Sequence, residues 1–307
     1  MSVAFLFPGQ GSQVPGMLHA LPDHPSIART LDEVSEALGE NVLELDSPAA
    51  LRSTVSVQLA LLASGVAAAR ALIAEGVAPE AVAGMSAGAF AAAVVAGVLH
   101  LADGVRLMKL RAERMVKLYP QGYGLAAIVG LREKQVSALV EEASTEQNPV
   151  YVANINAPRQ IVIAGSYEGI DKLLKAARKR GARKAVHLDV SEPSHCPLLQ
   201  PVADTLAKSL KAVHLDEPKL IYVGNVTGRA LRTEEAVSED LATNIAHGVR
   251  WYDATTVLKE LGCRLFLEMP PGHVLSDLAR EAFPDVRTLA VGETSFKHAA
   301  LAAANAG

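Results

Sequence analysis

Ala81-Val82-Ala83-Gly84-Met85-Ser86-Ala87-Gly88, followed by Ala89-Phe90-Ala91-Ala92-Ala93-Val94-Val95-Ala96, decides the fold. A short apolar run leads into a serine flanked by small residues two places on either side, and an alanine-rich helical stretch leaves it. This is the form of a nucleophile elbow, a strand-turn-helix in which the serine takes strained dihedrals while its neighbours approach closely. Such a turn holds the hydroxyl out of the packed layer, with the N–H groups and dipole of the new helix directed at it.

Working outward, Val3–Phe7 reads as a buried strand and Pro8-Gly9-Gln10-Gly11-Ser12-Gln13 as a polar turn after it. Ile27–Leu38, Val57–Glu75 and Leu101–Leu118 have helical periodicity. Strands alternating with helices predict an α/β layered fold with a mostly parallel sheet. The rhythm changes after Pro120-Gln121-Gly122-Tyr123-Gly124. Leu125–Val129, Tyr151–Ile155, Gln160–Ala164 and Lys184–Val190 read as strands, and Glu133–Ala143 and Ile170–Arg180 as helices. That β-α-β-β-α-β order is the ferredoxin-like unit. It predicts a subdomain over 123–190 inserted into a large domain made of 1–122 and 191–307. From Ser191 the larger pattern resumes, with helices Val202–Ala212, Tyr252–Leu261 and His273–Ala282 and strands Leu220–Gly224 and Leu265–Met269. The alanine-rich end, Leu301–Gly307, reads as frayed.

The 307 residues, half of them apolar, suffice for one large core with a smaller one inserted. A net charge of −4 argues against nucleic acid as a partner. No stretch reads as a membrane span, and the start Ser2-Val3-Ala4-Phe5-Leu6-Phe7 has no basic leader segment. Cys196 and Cys263 stand far apart and offer neither a disulfide framework nor a metal site. These features predict a soluble cytoplasmic protein.

A serine hydroxyl needs a base. Among nine histidines, His195 lies in the proline-bracketed turn Glu192-Pro193-Ser194-His195-Cys196-Pro197, between a strand end and a helix start. It reads either as that base or as a cap on the following helix; His247 and His273 are the reserves. His187, within a strand, reads as partly buried, and the remaining histidines as surface residues. Gly9-Gln10-Gly11 follows the first strand, so a parallel sheet brings it to the same edge as Ser86, where Gln10 could supply a donor to an oxyanion. A dinucleotide loop is excluded, because Val14 stands where the third glycine belongs and no Walker lysine exists. Arg111 falls on the apolar stripe Leu107, Leu110, Met115 and Leu118, and a buried guanidinium demands a partner. That partner is either an internal acceptor or a substrate carboxylate, which arginine grips bidentately. The run Arg178-Lys179-Arg180-Gly181-Ala182-Arg183-Lys184 is a solvated helix end or a docking patch for an acidic partner.

Phe7-Pro8-Gly9-Gln10-Gly11-Ser12-Gln13, the elbow at Ser86, Arg106-Leu107-Met108-Lys109-Leu110-Arg111, Asn154-Ile155-Asn156-Ala157-Pro158 and Pro193-Ser194-His195-Cys196, in that order and spacing over nearly the whole chain, resemble the malonyl-CoA:acyl-carrier-protein transacylase family. The resemblance implies an α/β-hydrolase-like large domain with an inserted ferredoxin-like subdomain. Its implied enzyme is a serine-histidine malonyltransferase working by ping-pong transfer. Ser86 is then the nucleophile, His195 its base, and Arg111 the holder of the malonyl carboxylate. The backbone N–H groups of Gln10 and Ala87 form the oxyanion hole, and the main-chain carbonyl of Arg250 orients His195. No bound cofactor is implied, only malonyl-CoA and the phosphopantetheine-type thiol arm of an acyl-carrier protein.

The family's usual elbow carries histidine and glutamate where this chain has Met85 and Ala89, and those two positions are expected beside the acyl pocket. A Gly-Met-Ser-Ala-Gly elbow is similar to the malonyl-transferase (epsilon) subunit of bacterial malonate decarboxylase. This favours a specialised transfer to that system's carrier, with its other subunits as partners, over the housekeeping role in fatty-acid or polyketide synthesis. Two rivals remain: a serine esterase or thioesterase, which has no use for arginine in its acyl pocket, and a non-catalytic carrier-binding subunit.

Overall fold

The computed structural model describes residues 2–119, 121–190 and 192–305. Pro120, Ser191, Ala306 and Gly307, on which some expected turns and boundaries fall, lie outside the described residues.

Chain order begins β1 (Ser2–Phe7), α1 (Pro25–Leu38), α2 (Thr54–Ala74), β2 (Ala81–Gly84), α3 (Gly88–Val95) and α4 (Leu101–Leu118). There follow β3 (Tyr123–Val129), α5 (Glu133–Ala143), β4 (Val150–Ala157), β5 (Gln160–Ser166), α6 (Tyr167–Lys179) and β6 (Lys184–His187). The remainder is α7 (Gln200–Leu210), β7 (Ile221–Val223), β8 (Ala230–Leu231), α8 (Glu234–Thr243), α9 (Trp251–Glu260), β9 (Cys263–Glu268), α10 (Val274–Ala282), β10 (Arg287–Ala290) and α11 (Phe296–Ala304).

The large sheet has six strands in the order β10-β9-β1-β2-β7-β8, parallel throughout except for the β7–β8 pair. Its central strand β1 is buried from Val3 to Phe7, as expected where helices cover both faces of a parallel sheet. One face packs against α2, α3 and α4, and the other against α9 and α10. Helix α2 is mostly apolar, with no single polar face, and runs through this core. Contrary to the sequence expectation, its 21 residues are long and apolar enough for a membrane span by length and composition, but most of it is enclosed by the fold.

The second sheet has four antiparallel strands in the order β4-β5-β3-β6, the arrangement expected of a β-α-β-β-α-β unit. Period-two alternation sorts its faces. Ala126, Ile128, Ile161 and Ile163 pack with α5 and α6, while Leu125, Ala127, Gln160 and Val162 line a cleft on the opposite side. The two sheets are tied by a parallel bridge from Asn154 to Val249, in which Ile155 N–H donates to Val249 O at 2.9 Å. Strand β6 ends at His187, short of the expected Val190. His187 is correspondingly exposed rather than partly buried, and pairs with Asp171 at 2.8 Å. At the chain's end, Leu301–Ala304 is helical rather than frayed.

Candidate active site

Strands β1 and β2 are paired with Phe7 opposite Gly84, so the Pro8-Gly9-Gln10 turn and the Met85-Ser86 turn leave the same sheet edge. Small residues are required there. A Cβ on Gly84 would collide with the Gly88 carbonyl, and one on Gly88 with the Phe7 carbonyl. Ser86 takes φ 56°, the left-handed conformation that a nucleophile elbow imposes on a residue with a side chain. Among the described residues His195 is the other non-glycine residue there, at φ 58°.

These strained positions face each other. Ser86 Oγ lies 2.7 Å from His195 Nε2, and His195 Nδ1 lies 2.6 Å from the carbonyl oxygen of Asn244. A carbonyl only accepts, so Nδ1 carries the proton and Nε2 is left bare to take the serine's. This corrects the expectation for Arg250. Its carbonyl accepts instead from Ala254 N–H as α9 begins, and its side chain pairs with Asp253 and Glu133. The physical reason is that α8 ends at Thr243, which leaves the carbonyl of Asn244 free of helical bonding, while that of Arg250 is consumed by the next helix. His195 N–H donates to Ile245 O at 2.7 Å and locks the loop onto the same segment.

Burial of His195 pushes its pKa down to about 4, with the Arg111 charge as the second cause. The ring is therefore a neutral base throughout the physiological range. His247 and His273 are exposed and bonded to Thr243 O and Asp277, away from the serine.

Arg111 lies on the buried stripe of α4 and has internal acceptors, but they leave part of its guanidinium unpaired. Among the described residues no carboxylate meets it. Nη1 donates to Gln58 Oε1 at 2.6 Å, Nη2 donates to Ser86 Oγ at 3.2 Å, and Nε is buried without an acceptor. Burial lowers its pKa to about 9, so it still carries charge at neutral pH. The Nε–Nη2 edge is thus a planar fork beside the nucleophile, the shape that matches a carboxylate.

Ser86 N–H is occupied, donating to Asn225 Oδ1 at 2.9 Å. Among the described residues the backbone N–H groups of Gln10 and Ala87 donate to no protein acceptor, which leaves both for an oxyanion. The Gln10 side chain is not such a donor; it is bonded to Thr54 and Gln58. These groups open onto a cleft of about 280 Å³ between the two sheets, walled also by Asn154, Asn156 and Leu275. Met85 lines this cleft, whereas Ala89 is fully buried in the core and does not, contrary to expectation. Of the basic run, Arg178 donates to Ala185 O and Arg180 pairs with Glu142 at the exposed end of α6.

Sequence reasoning missed Gln58, Asn225 and Asn244. Gln58 is a large amide on a buried, mostly apolar stretch of α2, and Asn225 follows a short strand at its carboxyl end, so both left a usable signal. Asn244 acts through its backbone and left none.

A sequence model of the acyl transferase domain matches residues 4–301. The malonyl CoA-acyl carrier protein transacylase of Escherichia coli K12 is 36% identical over 304 residues, covering 97% of this chain and 98% of the relative. The crystal structure of FabD from Acinetobacter baumannii superposes with a TM-score of 0.95 at 33% identity, covering 100% of this chain and 99% of that one. A malonyl-transacylase in complex with a type II PKS acyl-carrier protein gives a TM-score of 0.93 at 34% identity, over 98% and 99% of the two chains. The chain belongs to the malonyl-CoA:acyl-carrier-protein transacylase family of acyl transferases.

Proposed function

We propose that this enzyme transfers malonyl from malonyl-CoA through Ser86 to the thiol arm of an acyl-carrier protein, in the housekeeping role of fatty-acid or polyketide synthesis. The observation that carries the proposal is the Arg111 fork, charged, buried, with no carboxylate partner among the described residues and 3.2 Å from the nucleophile. An esterase for neutral acyl groups gains nothing from such a group and bears the cost of burying it.

The chemistry follows from the contacts. His195 Nε2 takes the Ser86 proton as Oγ bonds to the thioester carbon. The oxyanion is met by the N–H groups of Gln10 and Ala87. Collapse breaks the C–S bond, and the leaving sulfur receives the proton from His195. A malonyl ester remains on Ser86, its free carboxylate on Arg111. A carrier thiol then gives its proton to His195 Nε2, attacks the ester carbonyl, and releases Ser86 reprotonated.

The malonate decarboxylase role rested on the Gly84-Met85-Ser86-Ala87-Gly88 elbow, with Met85 and Ala89 as departures from the family's usual residues. Ala89 has no surface in the cleft and cannot select a carrier by contact, whereas Met85 lines it. The named relatives are malonyl transacylases, one of them bound to a type II PKS carrier, and they favour the housekeeping reading.

The test is Arg111→Ala, assayed with malonyl-CoA and acetyl-CoA. Removing one partner of a buried charge pair costs about 2–5 kcal/mol, so malonyl transfer should fall by roughly 30-fold or more while acetyl transfer holds or rises. A parallel fall of both would make Arg111 a structural residue. Faster malonylation of a malonate decarboxylase carrier than of a fatty-acid or type II PKS carrier would restore the specialised role.

A further inference from the structure

Glu192 is buried, three residues before His195, in the loop that carries the base. Its Oε2 accepts from Thr54 Oγ1 at 3.0 Å. Thr54 Oγ1 in turn accepts from Gln10 Nε2 at 3.3 Å, and Gln10 Oε1 accepts from Gln58 Nε2 at 3.3 Å. Gln58 Oε1 then accepts from Arg111 Nη1 at 2.6 Å. A single chain of hydrogen bonds therefore joins a buried carboxylate to the buried guanidinium through three neutral groups.

The two ends define its direction. A guanidinium only donates and a carboxylate only accepts, whereas a hydroxyl or a primary amide does both. With both ends fixed, the Thr54 hydroxyl and the two amides each have one orientation that satisfies every link. Without the acceptor at Glu192, the Thr54 hydroxyl is free to donate towards Gln10, and the guanidinium alone opposes reversal of the two amides. Each reversed state turns an N–H of Gln58 to Arg111, which cannot accept it, so the fork loses its hold on Gln58 for as long as that state is populated.

We infer that Glu192 is a positioning residue that, through Thr54, Gln10 and Gln58, holds the Arg111 fork in the orientation that selects a carboxylate-bearing acyl group. This rests on the malonyl-transfer reading of the site and extends it to a residue that touches neither substrate nor nucleophile. Gln10 gives the chain a second consequence, because the same residue carries an oxyanion-hole N–H. The carboxylate end and the reacting end of the acyl group are thereby held by one network. The competing role for Glu192 is purely structural. Thr54 opens α2, whose preceding residue Ser53 makes no side-chain cap, so a carboxylate there also favours the helix.

Single-turnover acylation of Ser86 by malonyl-CoA and by acetyl-CoA separates the two roles. Glu192→Leu should lower the malonyl-to-acetyl rate ratio by about tenfold, the scale of one misdirected charge-assisted hydrogen bond. Glu192→Gln, whose side-chain carbonyl can accept the same bond from Thr54, should recover most of that ratio. Combined with Arg111→Ala, Glu192→Leu should have no further effect on the ratio. Thr54→Val cuts the same chain at the link next to Glu192 and should reproduce the change if Glu192→Leu fails to fold. Equal losses with both thioesters, equal effects of Gln and Leu, or a ratio unmoved by Thr54→Val would each overturn the inference. A wild-type enzyme that takes up no malonyl would overturn the functional reading instead, so the two failures are distinguishable.

Discussion

Burial and the nearby Arg111 charge hold His195 neutral well below the pH at which a free imidazole, with a pKa of about 6.5, takes up a proton. Acylation of the free enzyme should therefore stay level as pH falls through 6.5 and decline only towards pH 4, as kcat/KM for malonyl-CoA against pH would show. A midpoint near 6.5 would mean that His195 is solvated or is not the base. Stability runs the same way. Between pH 6.5 and 4 the unfolded chain binds a proton that the folded site refuses, so folding weakens as pH falls across that window. At this scale the sequence was informative where chemistry resides in a side chain: Ser86, His195 and Arg111 announce themselves by turn, proline bracket and misplaced charge. It was uninformative where chemistry resides in the backbone. The carbonyl that orients His195 belongs to Asn244 rather than Arg250, and any residue can offer a carbonyl. Asn244→Ala should accordingly retain acylation within about twofold, since the buried side-chain amide has no partner among the described residues.

The elbow needs more than small residues to hold Ser86 at φ 56°. Asn225 supplies the remainder, accepting from Ser86 N–H and donating to the Gly84 carbonyl, both at 2.9 Å. Asp240 on α8 anchors Asn225 in turn, taking its backbone N–H at 2.8 Å. Asn225→Leu keeps the branched shape but strands a buried donor and a buried acceptor in the turn. It should cost about 2–5 kcal/mol of stability and slow acylation together, measurable by urea unfolding and a burst assay. Unchanged stability would show that the glycines alone hold the elbow. Elements with strong periodicity, such as α4 and α5, were legible to the residue because an apolar stripe flanked by charge has one way to pack. Helix α8, beginning Glu234-Glu235-Ala236-Val237, buries few apolar side chains and exists to bring Asp240 beneath the elbow, so its pattern is weak. The edge strand β10 and the alanine-rich α11 were missed for the related reason that pairing and docking, rather than local pattern, define them.

The two sheets make the site jointly. The parallel sheet delivers Ser86 and Gln10 to one edge, α4 brings Arg111 beneath them, and the face of the antiparallel sheet turned away from α5 and α6 closes the cleft above. The alternation of strands and helices, and its change of rhythm near Tyr123, made this division readable from the chain. The polar chain from Glu192 to Arg111 was not, because residues bonded to each other along it lie up to 138 positions apart and converge only when the layers pack. The central claim is that this cleft forms a malonyl ester on Ser86 in preference to an acetyl ester. Intact-mass measurement after brief incubation with equal amounts of malonyl-CoA and acetyl-CoA tests it most directly. The wild type should gain a single malonyl group and little acetyl, and Ser86→Ala should gain neither. A full malonyl adduct on Ser86→Ala, or a wild type that takes acetyl as readily as malonyl, would contradict the account.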